Sequence, residues 1–93
     1  MDVTWKLFAT LGEAAGDTEV TVTVSDDATV AKALDSLFEK YPAVAEEARA
    51  ENGSIYEHVR TLHEGEDVEN PLDSDRGVAA GDELALFPPV SGG

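Results

Sequence analysis

The chain contains no cysteine, which excludes disulfides, thiolate metal sites and cysteine nucleophiles. Basic residues are scarce. Six Lys plus Arg stand against 20 Asp plus Glu, a formal net charge of −14. A phosphate backbone must be neutralised by Lys and Arg, so nucleic acid is a poor partner, and an anionic membrane surface is disfavoured for the same reason. Long apolar runs are also missing. No basic-then-apolar segment opens the chain and no stretch approaches the length of a membrane span, so the sequence reads as cytoplasmic. With 93 residues the chain is one small domain. Such a body buries only roughly 60–65 % of the surface its unfolded chain exposes, which makes a deep enclosed active site hard to build. A surface read by other proteins is easier to build, and a free monomer is expected.

The acids are spread along the chain rather than gathered in one tail, from Asp17 and Glu19 to Asp82 and Glu83. That distribution fits a solvated surface and, more specifically, a salt-adapted protein of a halophile. At about 1 M salt the Debye length shrinks to ~3 Å, so self-repulsion among exposed acids is largely screened.

The hydrophobic pattern gives the elements. Val3 to Ala9 alternates, with Val3, Trp5 and Leu7 on one face and Thr4, Lys6 and Phe8 on the other. Glu19 to Val24 is a second alternating run rich in β-branched residues. Gly12 and Gly16-Asp17 between them predict a turn, and hence an N-terminal hairpin. The period then changes: Val30, Leu34, Leu37, Phe38 and Tyr41 form one helical stripe, with Thr29 as its cap and Pro42 as its stop. A shorter helix is predicted from Ala43 to Ala50, ending at Asn52-Gly53. Val59 to His63 reads as a strand, Glu64-Gly65 as a turn and Val68 to Leu72 as a short edge strand interrupted by Pro71. Asp73 to Gly77 reads as a loop and Ala80-Gly81-Asp82 as a turn. Glu83 to Phe87 is the last strand, closed by Pro88-Pro89.

This order predicts an α+β fold of the β-grasp (ubiquitin-like) type. Four to five strands form a mixed sheet, one main helix packs on one face, and the first and last strands are central, parallel neighbours. Residues 1–87 form the domain and 88–93 a flexible tail ending in Gly-Gly. Strand parity places Val3, Trp5, Leu7, Val20, Val22, Val24, Leu84 and Leu86 against the helix, and Thr61 inward. Phe8, Leu62 and Phe87 then point away from it, and together they predict an exposed apolar docking patch.

The tail carries the chemistry. Pro88 and Pro89 stiffen the exit from the last strand, while Gly92 and Gly93, lacking side chains, can enter a narrow channel. A glycine carboxylate is the group that ATP-dependent acyl activation would convert to a mixed anhydride. Other constellations are weak. His58 and His63 lie on opposite faces if both are in one strand, so they read as surface or partly packed histidines rather than metal ligands. The acidic pairs have no cleft to shift their pKa values, and Ser54 and Ser91 lack a base partner. No residue is therefore assigned a catalytic or metal-binding role.

The segment Gly81-Asp82-Glu83-Leu84-Ala85-Leu86-Phe87-Pro88-Pro89-Val90-Ser91-Gly92-Gly93 closely resembles the ending of MoaD, the small subunit of molybdopterin synthase, and equally that of the ubiquitin-like small archaeal modifier proteins (SAMPs). Lys6-Leu7-Phe8-Ala9 with Leu11 and Gly16 resembles their opening, and Thr29-Val30 with Ala33-Leu34 the start of their helix. Arg60 departs from the pattern, standing where these families often carry asparagine. The resemblance implies that Gly93 supplies a carboxylate adenylated by an E1-like enzyme (of the MoeB, ThiF or UbaA kind). That enzyme uses ATP and magnesium, and this chain holds no cofactor of its own. In the modifier branch Gly93 is joined by an isopeptide bond to lysines of target proteins. In the sulfur-carrier branch it becomes a thiocarboxylate, serving molybdopterin synthesis with the large synthase subunit, or tRNA thiolation. The resemblance also implies that Phe8 and Phe87, with Leu62 beside them, pack against those partners. In a modifier, Lys6, Lys32 and Lys40 are candidate acceptors for a second copy. The rival reading is a plain β-grasp binding module whose tail is never activated.

Overall fold

The computed structural model describes residues 1–49 and 59–88. The expected helix stop at Asn52-Gly53, together with Ser54, His58, Ser91, Gly92 and Gly93, lies outside the described residues.

Strand β1 (Asp2–Leu7) pairs antiparallel with β2 (Glu19–Thr23), in register Val3 to Val22 and Trp5 to Val20. Between them the chain forms a short helix, α1 (Thr10–Ala15), where the glycines predicted only a turn. Six residues are too few to hold a helix by propensity. Burial of Leu11 and packing of α1 against the third helix supply the stability that local sequence does not. Gly16 closes it at φ 83°, its N–H and that of Asp17 donating to the Gly12 carbonyl. That left-handed cap favours glycine.

Helix α2 (Val30–Lys40) starts at Thr29, whose hydroxyl accepts from the Lys32 N–H at 3.3 Å. Its stripe of Val30, Ala33, Leu34, Leu37 and Phe38 is buried against the sheet. Pro42 ends it and opens α3 (Pro42–Ala48), the position where a missing N–H costs least. Strand β3 (Arg60–His63) turns through Glu64-Gly65 into β4 (Glu66–Asp67). The edge strand expected over Val68 to Leu72 is thus two residues long and lies earlier. Val68 still donates to the Thr61 carbonyl, but Asn70 adopts a left-handed conformation and Pro71–Asp73 makes a 3-10 turn. Strand β5 (Glu83–Phe87) completes a five-stranded sheet in the order β2-β1-β5-β3-β4. Strands β1 and β5 are parallel and central, with Trp5 beside Leu84 and Leu7 beside Leu86.

The core lies between this sheet and α2. Val3, Trp5, Leu34, Leu37, Leu84 and Leu86 are fully buried. The Trp5 indole N–H donates to the Ala33 carbonyl at 3.2 Å, pinning β1 to the helix and satisfying a group that would be costly to bury unpaired. Removing one of these side chains, as in Leu37→Ala, costs about 2–5 kcal/mol, a large share of the ~5–15 kcal/mol that holds a small domain together.

Candidate docking face and conjugation tail

The face of the sheet away from α2 carries the residues of opposite parity. Phe8 follows β1 and Phe87 ends β5, so the parallel register brings them side by side. Their rings stack with centroids 4.2 Å apart and planes 8° from parallel. Phe8 is 40 % exposed and is the large apolar residue most open to solvent among those described. Phe87 is half-buried. Such a stack hides part of each ring and leaves a flat aromatic surface in water.

The surroundings of this pair are partly charged. Leu62 is half-buried on the same face, across from Ala85, while Arg60 stands directly across from Phe87. Leu62 is therefore one row away from the stack. Arg60 is held by Asp67, its Nε and Nη2 donating to that carboxylate at 2.9–3.2 Å. Lys6, beside Ala85, pairs with Glu83 at 3.2 Å. The arrangement is an aromatic pair with small and aliphatic neighbours, framed by two ion pairs. Arg60 was legible in the sequence only as an oddity; its place follows from the antiparallel β3–β5 register.

The turn that follows Phe8 is strained. Ala9 has φ 52° and ψ −126°, and the Leu11 N–H donates to the Phe8 carbonyl at 3.1 Å. This is the geometry of a type II′ turn, whose first central position suits glycine. A non-glycine residue there is strained and is held in place by the surrounding structure.

His63 is buried, contrary to the surface or partly packed position expected for it. Its Nδ1 accepts from Arg76 Nε at 2.8 Å and its Nε2 meets Asp82 Oδ2 at 2.7 Å, which assigns the proton to Nε2. Arg76 continues to Glu66 at 3.1 Å, and the Ala79 N–H donates to Asp82 at 2.8 Å. The hydrogen bond from His63, then that from Ala79, hold the Asp82 carboxyl below its usual range. This network ties β3, the 76–82 loop and the start of β5 together. It contains no nucleophile, so it reads as structural. Thr61, also buried, points inward from β3, and its hydroxyl has no hydrogen-bond partner among the described residues. Among those residues no group of acidic or histidine side chains is arranged to hold a metal, and no helix is long and apolar enough to cross a membrane.

A helix laid across a mixed sheet with parallel central strands defines a ubiquitin-like β-grasp domain, and a partly exposed aromatic pair stands at the end of its last strand. Comparison with known proteins agrees with this class. The ThiS family model matches residues 5–93. Small archaeal modifier protein 1 of Haloferax volcanii is 48 % identical over 89 residues, covering 96 % of this chain and 98 % of that protein. Small archaeal modifier protein 3 of the same organism is 34 % identical over the whole of both chains. The crystal structure of SAMP1 from Haloferax volcanii superposes with a TM-score of 0.88 at 46 % identity, covering 100 % of each chain. The chain belongs to the ThiS family, among the small archaeal modifier proteins. Both relatives come from a halophilic archaeon, in keeping with the acidic composition.

Proposed function

We propose that this chain is a ubiquitin-like modifier whose Gly93 carboxylate is adenylated by an E1-like enzyme and joined to lysines of target proteins. The observation that carries the reading is the Phe8–Phe87 stack at the end of β5. It is an apolar docking face at the root of the segment that bears Gly92 and Gly93. Residues 1–87 act as the recognised body and 88–93 as the reacting tail.

Docking at this face positions the tail for the partner's chemistry. A Gly93 carboxylate oxygen attacks the α-phosphorus of ATP, which the partner binds with magnesium, and pyrophosphate leaves. A target lysine amine then adds to the acyl carbon. The C–N bond forms, the bond to the phosphate oxygen breaks and AMP departs, with the surplus proton passing to solvent. This chain's contribution is binding and presentation; the acid–base work belongs to the partner. Gly92 serves by having no Cβ to obstruct a narrow channel.

The match to the ThiS family favours a second use of the same carboxylate, as a thiocarboxylate that delivers sulfur. Its partner would be a sulfur-accepting enzyme such as a molybdopterin synthase large subunit. The two uses share activation and differ only in the nucleophile that takes the acyl group.

The test of activation is pyrophosphate release from purified components. The full chain, an E1-like enzyme of the same host and magnesium-ATP should release pyrophosphate in proportion to the chain added. A chain lacking Gly92 and Gly93 should release none. Equal release from both would end this reading.

A further inference from the structure

We propose that Lys32 is the residue to which the tail of a second copy of this chain is joined, building a two-copy conjugate. This rests on the modifier reading above. The chain has three lysines, Lys6, Lys32 and Lys40, and all three lie among the described residues, so their surroundings can be compared directly.

Lys6 is on the docking face. It lies beside Ala85, two residues before Phe8, and pairs with Glu83 at 3.2 Å. A second copy attached there would cover the aromatic stack. Lys40 is committed to the sheet edge. Its Nζ donates to the Thr21 carbonyl at 2.9 Å and lies 5.7 Å from the centroid of the Tyr41 ring. Thr21 belongs to β2, an edge strand. The Thr4–Thr21 pair lies between two hydrogen-bonded pairs, so the Thr21 carbonyl points outward and Lys40 caps it. Exposed contacts of this kind restrain an amine only weakly. Lys40 is therefore the closer rival, and the experiment includes it.

Lys32 differs in both respects. It is the third residue of α2 and is exposed. Its backbone N–H is bonded to Thr29, but its ammonium has no hydrogen bond or ion pair among the described residues. Its neighbours three and four positions away are Ala28, Thr29, Asp35 and Ser36, none of them bulky. Within the helix, no large side chain stands beside it. The buried stripe of α2 faces the sheet, so the exposed side of the helix looks away from the Phe8–Phe87 stack. Conjugation at Lys32 leaves the acceptor's docking face open, and that copy can still engage an activating enzyme.

The step uses the co-reactant already named. The lone pair of the deprotonated Lys32 Nζ adds to the carbonyl carbon of the Gly93 acyl adenylate of the other copy. The C–N bond forms, the carbon–oxygen bond to phosphate breaks, AMP leaves and the amine's surplus proton goes to solvent.

Arg76 is the last trypsin site before the tail, so digestion of a conjugate leaves the branch Gly77 to Gly93 on the acceptor lysine. Tagged full-length chain and its Lys6→Arg, Lys32→Arg and Lys40→Arg forms are expressed in the native host. Two-copy species are then isolated under denaturing conditions and digested. The expected result is the branch on Lys32, with the two-copy band lost in Lys32→Arg and kept in the other two. A branch on Lys6 or Lys40 instead, or a band that survives Lys32→Arg, overturns the proposal. So does conjugation to other proteins with no two-copy species at all. If the unaltered chain forms no conjugate with any protein, the modifier reading itself fails.

Discussion

Phe8 and Phe87 lie 79 positions apart in the chain (87 − 8) and stack face to face at 4.2 Å, because the parallel β1–β5 register makes them neighbours. Neither ring is needed to fill the core, which the opposite parity of the same two strands supplies. The cost of leaving this pair in water is the strongest physical reason to regard the face as a binding surface.

Phe87→Asp should separate docking from folding. Loss of the stack removes about 0.5–1.5 kcal/mol, so the protein should stay folded with a melting temperature lower by about 2–12 °C. Pull-down of the E1-like partner should fall at least about tenfold, as expected for an aromatic anchor worth ~2 kcal/mol. Circular dichroism checks the fold on the same sample. An unfolded variant would mean that Phe87 belongs to the core.

Ala9→Gly should stabilise the domain by about 1 kcal/mol, the balance of relieved backbone strain against greater freedom in the unfolded chain. Denaturant titration measures it. Pull-down of the activating enzyme should weaken if the rigid turn is what places Phe8, and a destabilised variant would contradict the strain at φ 52°.

Asp82 predicts an acid dependence. Its folded pKa is lowered, first by the hydrogen bond from His63. Its contribution is therefore fully present above the unfolded value of 3.8 and disappears as pH falls through the lower folded value. Asp82→Ala should be less stable than the parent at pH 7, and the gap should close in melts taken well below pH 4. A gap that stays constant across this range would remove the His63–Asp82 link from the account.

Salt should matter to the whole molecule. With a net charge of −14, lowering salt lengthens the reach of self-repulsion. The Debye length grows from ~3 Å at 1 M to ~10 Å at 0.1 M. The melting temperature should fall on dialysis from molar salt to 0.1 M, and an unchanged value would contradict salt adaptation.

The central elements could be read from the sequence because their signals are local. Alternation in β1, β2 and β5, the Thr29 cap and the helical stripe of α2 each sit within a few residues. Parity then placed Phe8 and Phe87 outward without knowledge of the fold. What was missed depends on distant contacts. Helix α1 exists because Leu11 is buried and α3 lies against it, while its own glycines argue for a turn. Strand β4 is two exposed acids that pair only because β3 is beside them. His63 looked like an isolated histidine, since Arg76 and Asp82 reach it only after the chain folds back. The position of Arg60 across from Phe87 is likewise a matter of register.

The most direct test compares two tagged chains in the native host, one complete and one lacking Gly92 and Gly93, on a denaturing, reducing gel followed by mass spectrometry. The account predicts higher-mass bands with the complete chain alone, each carrying the Gly77–Gly93 branch on a target lysine. A single unconjugated band from both would contradict the modifier assignment, and a thiocarboxylate at Gly93 in the intact mass would then assign the chain to sulfur transfer.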